Sequence, residues 1–351
     1  MKPLKNLLVF LASCLFCFLL AEGLSSTLLV LKGFSFPVLI METYHTKYDP
    51  WLGWVNVPNY RNDNFYGKGQ GMRINSQGFR NDQDFSTDIP KGKIRAICSG
   101  DSFTLGFDMD NRHTWCQELT AIDPRLETLN MGQGGYGVDQ AYLWYLRDGK
   151  KFEHQLHLFA FVFDDFSRVS TKRLYGVYDK PVLRLKAGNL VVTNTPVPAT
   201  LKPVRIARTL QNFLPGFRFF QLGMLIRRKL ARGEEKAKNE TEEDIKVLTL
   251  KIMDQLKAVN EEKKSSLVLI FLPRFEDLLV TDSDPMRKWL AQEAEKRKVP
   301  LIDLVEEFRK IGRDEVRPYF SGHYSEEGNR VVARMIYDRL LKANLIPQPA
   351  Q

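Results

Sequence analysis

Ile94-Arg95-Ala96-Ile97-Cys98-Ser99-Gly100-Asp101-Ser102-Phe103-Thr104-Leu105-Gly106 is the stretch whose reading decides the fold. An apolar run over Ile94, Ala96, Ile97 and Cys98 ends abruptly at Gly100, and Asp101, Ser102 and Thr104 follow at once. Short, partly β-branched and closed by glycine, the run reads as a buried strand entering a tight turn. In an open α/β sheet the carboxyl end of such a strand is where ligands and reacting groups collect, and Ser102 stands there. A nucleophilic serine needs a base, donors for an oxyanion and an anchor for the base.

Downstream the pattern alternates. Residues 114–122 suit a helix, 126–131 a short strand, and Gly132-Gln133-Gly134-Gly135-Tyr136-Gly137 a turn with four glycines. Residues 139–147 read as a helix stopped by Gly149. Residues 156–163 form an almost unbroken apolar run, as a central parallel strand does, and end at Asp164-Asp165-Phe166. The expected fold class is therefore α/β, doubly wound around a mostly parallel sheet. An insertion at about 171–240 interrupts the alternation. Lys186-Ala187-Gly188-Asn189 signals a hairpin. Residues 201–232 suggest a helix broken at Pro215-Gly216, with Phe217, Phe220, Met224 and Leu225 on its apolar side and Arg227, Arg228, Lys229 and Arg232 at its end. Such a helix fits either packing over the active-site edge or lying on a membrane surface. Thr241-Glu242-Glu243-Asp244 resembles a capping box. A helix after it, a strand at 267–272, a helix at 284–298, a strand at 301–304 and a helix at 326–341 complete the alternation.

The chain has 351 residues and a net charge of +9. That length suffices for one large α/β domain with attachments. Its Lys and Arg are spread out, with no basic face interleaved with aromatics, so an ordinary basic surface is preferred to nucleic-acid binding. Cys14, Cys17, Cys98 and Cys116 read as isolated thiols rather than a framework.

Lys2 and Lys5 precede the uncharged run 7–21; Glu22 interrupts it, and residues 25–31 resume it. A helix continued past Glu22 would be long enough for one transmembrane span. An uncleaved signal anchor is preferred to a removed signal peptide, and a lipoprotein box at Leu11-Ala12-Ser13-Cys14 ranks third. The basic flank predicts a cytoplasmic start and an exported body. The expected division is an anchor at 1–31, an irregular lead-in at 32–92 packed on the domain surface, and the α/β domain at 93–346. In the lead-in, surface ion pairs are the expected role of Arg73 and Arg80.

Five histidines are present. His154 and His157 form a His-x-x-His without further ligands and are expected at the surface. His45 and His113 have no suggestive setting. His323 does: it precedes the last helix, beside Ser325 as a good N-cap and Glu326 and Glu327 in the first turn. There it is either an ordinary loop histidine or one that reaches back to the strand ends.

Gly100-Asp101-Ser102, the glycine turn from Asn130 to Gly137, Asp164-Asp165 and His323 occur in that order, all expected at one sheet edge. This set resembles the SGNH, or GDSL, hydrolase superfamily. The lead-in resembles that of its bacterial membrane-tethered members, through Asp49-Pro50-Trp51-Leu52-Gly53 and Asn75-Ser76-Gln77-Gly78-Phe79-Arg80. The resemblance covers roughly 93–345 and implies a three-layer sandwich. It implies Ser102 as nucleophile and oxyanion donor through its own N–H, Gly135 as a second donor open to substrate, and His323 as base. The implied reaction is acyl-ester hydrolysis or acyl transfer through an acyl-enzyme, with no cofactor or metal. The implied site is outside the inner membrane of a bacterial cell, and the implied substrates are acylated glycans, lipids or small esters.

Two positions depart from the family pattern. Asp164 replaces the Asn that would be a third oxyanion donor; an ionised carboxylate cannot donate and would repel the oxyanion, so Asp164 would help only if protonated. The acid expected two or three residues before the histidine is missing, since Ser321 and Phe320 stand there. A backbone carbonyl or a remote carboxylate such as Asp314 would then orient His323. The rival expectations are a non-catalytic protein that kept the cleft to bind envelope polysaccharide or lipid, and a membrane-surface scaffold.

Overall fold

The computed structural model describes residues 2–31, 45–174, 178–198, 217, 219, 222, 223 and 241–349. The chain divides into two compact units, one comprising Met1–Met41, Tyr175–Tyr178 and Ala199–Asn239, the other Glu42–Leu174, Asp179–Pro198 and Glu240–Gln351.

The first unit holds helix α1 (Lys2–Leu31). Glu22 does not break it, because one acidic residue among leucines costs a helix little. Leu7, Phe10, Phe16 and Leu24 are all more than half exposed. The segment Lys5–Leu28 has 24 residues and a mean hydropathy of 2.4. At 1.5 Å per residue it is about 36 Å long, so length and composition suffice to cross a bilayer. Oε2 of Glu22 accepts a hydrogen bond from the Phe219 N–H at 3.1 Å, and the Phe18 ring meets Phe217 and Phe219 edge-on. The helix expected over 201–232 otherwise lies outside the described residues.

The second unit is built on a five-stranded sheet: β1 (Ile94–Gly100), β2 (Leu126–Gly132), β3 (Leu156–Phe161), β4 (Ser266–Phe271) and β5 (Leu301–Asp303). The spatial order is β5-β4-β3-β1-β2, and every pairing is parallel. The expected α/β class holds. Alternation along the strands divides their side chains between two faces. Ala96, Cys98, Leu156, Leu158, Ala160, Val268, Ile270 and Ile302 form one core with Trp115, Cys116 and Leu119 of α3 (Trp115–Ile122) and Val332, Ile336 and Leu340 of α10 (Glu326–Lys342). The other face meets α4 (Val138–Arg147) and α6 (Glu242–Glu262), which pack on each other. The two helix layers follow from near-continuous apolar strands, which have no face to give to water.

That second face corrects the reading of His154 and His157. They are 3% and 0% exposed rather than on the surface. His157 Nε2 lies 2.9 Å from Ser99 Oγ and its Nδ1 3.1 Å from Asn260 Nδ2. Its ring stacks on Tyr145 at 3.8 Å. His154 bonds the Phe152 carbonyl, Asn260 and the Tyr145 hydroxyl. Mutual hydrogen bonds offset the cost of burying these polar groups.

Several boundaries differ from expectation. β3 ends at Phe161 because Asp165 Oδ2 accepts the Val162 N–H at 3.0 Å and starts α5 (Phe163–Arg168). After α7 (Asp284–Lys296), the short helices α8 (Val305–Ile311) and α9 (Arg313–Val316) were not foreseen. The capping box at Thr241 and Asp244 forms. The hairpin pairs Val182–Lys186 with Asn189–Thr193 through Ala187 and Gly188, both at positive φ.

Candidate active site

The strand order places β1 between β2 and β3, so the chain leaves β1 toward one side and later returns on the other. Such a switch point opens a crevice at the carboxyl ends of the strands. Gly100 pairs with Gly132 across it. Helix α2 (Ser102–Leu105) starts one residue beyond β1 with Asp101 as its N-cap, whose Oδ1 accepts the Phe103 N–H at 2.8 Å. A Cβ on Gly132 would lie 2.0 Å from the Leu105 nitrogen, so only glycine lets α2 sit this close to β2. Ser102 is thus the first helical residue, and its N–H belongs to the turn whose amides lack intrahelical acceptors.

His323 comes from the far end of the domain. It sits on a two-residue ribbon, Phe320–Ser321 paired with His323–Tyr324, just before α10, whose N-cap Ser325 accepts the Gly328 N–H. Its Nε2 lies 2.9 Å from Ser102 Oγ. The imidazole lies between two aromatic rings, with centroids 4.6 Å from Phe103 and 4.7 Å from Phe107. The ring is thereby held by packing as well as by hydrogen bonding.

Beneath the serine is a buried charge network that the sequence reading missed. Asp101 Oδ2 lies 3.4 Å from Ser102 Oγ and 3.5 Å from a guanidinium nitrogen of Arg168. Arg168 also pairs with Asp165 and donates to the Tyr136 carbonyl at 2.9 Å. Burial pushes the Asp101 carboxyl up, against the pull of Arg168 and the Phe103 N–H. Burial, then the charge of Asp101, pushes Asp165 well above the ordinary carboxylate range. The spacing of Asp165 and Arg168, three apart on one helix face, was the available signal.

Asp314 is exposed on α9. Among the described residues, the Asp101 and Asp108 carboxyls feel the charge of His323; burial raises each, and His323 pulls each back down.

Gly135 has φ +74, which favours glycine. A Cβ there would lie 2.3 Å from Leu174 Cδ2. The missing side chain thus makes room for Leu174. Trp54 secures the same turn, its Nε1 donating to the Gly134 carbonyl at 2.9 Å.

Asp164 is the second residue of α5, just past the end of β3, the strand on the other side of β1 from the glycine turn. It is 52% exposed, and its Oδ1 is 2.7 Å from Nη1 of Arg274. It is an ion-paired carboxylate rather than a buried acid. Arg80 is the largest departure in the lead-in. It is fully buried, not in a surface pair, and it donates to the carbonyls of Leu105, Gly106 and Met109 and to Asn111 Oδ1. Arg73 does make the expected surface pairs, with Asp63 and Asp82.

No family model matches the chain, and no curated protein matches it. Among solved structures, a member of the lipolytic protein G-D-S-L family from Veillonella parvula is 13% identical, covering 71% of this chain and 99% of that one, with a TM-score of 0.40. The lipase/acylhydrolase from Enterococcus faecalis is 13% identical over 73% of this chain and 100% of that one, with a TM-score of 0.39. A two-domain esterase active on acetylated mannans is 13% identical over 74% of this chain and 52% of that one, also with a TM-score of 0.39. What this chain is similar to among solved structures is thus a group of G-D-S-L lipases, acylhydrolases and esterases.

Proposed function

We propose that the chain is an SGNH-type serine hydrolase acting on acyl esters. The observation that carries this reading is the 2.9 Å contact between His323 Nε2 and Ser102 Oγ, at the switch point of a parallel sheet. Ser102 Oγ attacks the acyl carbon, and its proton passes to Nε2 of His323. The carbonyl oxygen becomes an oxyanion held by the N–H groups of Ser102 and Gly135. When the tetrahedral species collapses, the C–O bond to the alcohol breaks and the alcohol takes the proton from Nε2. Water, or the hydroxyl of an acceptor, then takes the acyl group from Ser102 by the same steps in reverse. The proposed substrates are acylated glycans, lipids or small esters of a bacterial envelope, reached by a domain that α1 tethers outside the inner membrane. The length and apolarity of α1 support the tether, and Lys2 and Lys5 support the orientation.

A fluorophosphonate probe tests the chemistry. Labelling of the full chain that disappears in Ser102→Ala and His323→Ala is the expected result. The exposed carboxylate of Asp164 favours a second reading, a polysaccharide- or lipid-binding protein that kept the fold. No labelling at any pH from 5 to 9 would decide for it.

A further inference from the structure

Asp164 is the anomaly of this site. Strand β3 flanks β1, so its end and the Gly132–Gly137 turn are the two strand ends beside Ser102. A bare carboxylate at one of them opposes any negative charge that grows on a substrate oxygen. The structure gives that carboxylate a partner. Arg274 stands three residues past the end of β4, with Nη1 2.7 Å from Asp164 Oδ1. The guanidinium is fixed from its other edge by Asp277, with Nε 3.1 Å from Oδ2 and Nη2 3.0 Å from Oδ1. Asp277 also accepts the Arg274 backbone N–H at 2.9 Å. The Arg274 guanidinium lies 5.6 Å from the centre of the Phe163 ring, next to Asp164 in sequence. The preceding carbonyl, that of Pro273, accepts the hydroxyl of Tyr324 at 2.8 Å, and Tyr324 adjoins His323. The Pro273-Arg274 pair thus touches both Asp164, through the arginine side chain, and Tyr324, through the proline carbonyl.

We propose that Arg274 is what allows an aspartate to stand beside this serine. Its guanidinium, shared with Asp277, clasps the Asp164 carboxylate just past the end of β3 and offsets part of its charge. The donors on Ser102 and Gly135 then act against a weakened anion. Arg274 works through Asp164, so it is a positioning residue. The inference rests on the ester-hydrolase reading, and it assigns a role to a residue which that reading does not use.

A double-mutant cycle on the full chain tests it, with p-nitrophenyl acetate turnover and fluorophosphonate labelling as readouts. Arg274→Met lowers kcat about 10²-fold with KM near its native value. In the Asp164→Asn background the same change costs less than about threefold, because no carboxylate then follows the end of β3 beside Ser102. Arg274→Lys keeps the cation and restores activity to within about tenfold of native. Arg274→Met loses the Asp277 contacts in both backgrounds, so a purely structural role predicts equal losses, and equal losses would overturn the inference while leaving the esterase reading intact. A native chain that neither turns over the ester nor labels overturns both together.

Discussion

Nη1 of Arg80 lies 2.6 Å from the Leu105 carbonyl, so a residue from the lead-in holds the far end of the helix that begins with Ser102. Helix α2 has only four residues, too few to stand without tertiary support. Arg80 supplies donors to carbonyls that a helix end leaves unpaired. Arg80→Met leaves several buried carbonyls without partners and destabilises the domain by about 3 kcal/mol or more. Urea unfolding measures this loss. Slower fluorophosphonate labelling of the still-folded fraction would show that the same grip sets the position of Ser102. A midpoint unchanged from native would refute the grip.

Phe107 and Phe103 enclose the His323 ring. Phe107 is half-buried, follows the Gly106 C-cap of α2 and also meets the Tyr66 ring edge-on at 5.3 Å. Phe107→Ala frees the imidazole to leave its contact with Ser102 and lowers kcat/KM about tenfold. Thermal unfolding of the variant stays close to native. Phe107→Leu, which keeps bulk on that face, recovers part of the rate. If Phe107→Ala leaves the rate unchanged, packing does not hold the base.

Asp164→Asn replaces an acceptor with an amide that donates. On the proposed mechanism that amide adds a donor for the oxyanion, and kcat rises by roughly tenfold. Steady-state turnover of p-nitrophenyl acetate reads the change. A fall in kcat would show that the carboxylate has a role of its own, such as binding substrate hydroxyls.

The parallel sheet was legible because its strands are short apolar runs between amphipathic helices. Ser102 and His323 were legible because each sits in a local signal, a strand-to-turn break and a helix cap. The groups that support them were not. Arg80, Arg168 and Arg274 each act across the fold, on Leu105, Asp101 and Asp164. A sequence shows a charge but not which buried acceptors surround it. The lead-in looked irregular and therefore superficial, yet Trp54 and Arg80 secure the glycine turn and α2. His154 and His157 were misjudged for the same reason. Asn260 and Tyr145, which satisfy them, lie on other elements.

Those two histidines give a pH test that does not depend on catalysis. Burial holds the His154 imidazole below its ordinary value, and burial together with the charge of His154 holds His157 well below it. Ser99, Asn260, Tyr145 and Phe159 face His157, and Glu153 and Lys263 act on His154 from outside. In the unfolded chain both rings bind a proton near pH 6.5. Below that pH the unfolded state holds protons that the folded state refuses, so stability is present above pH 6.5 and is lost as the pH falls. The slope is about 1.4 kcal/mol per pH unit for each histidine until the folded-state value is reached. His157→Gln keeps a donor and an acceptor toward Ser99 and Asn260 but does not titrate. Urea unfolding of native chain and variant at pH 7, 6 and 5 gives the two slopes. Asp101 and Asp165, whose raised carboxyls act in the opposite sense, are present in both and cancel in the difference. The variant loses less stability between pH 6.5 and 5 than the native chain does. Equal slopes would mean that His157 is already charged inside the folded domain, so that its Nδ1 does not accept from Asn260 Nδ2.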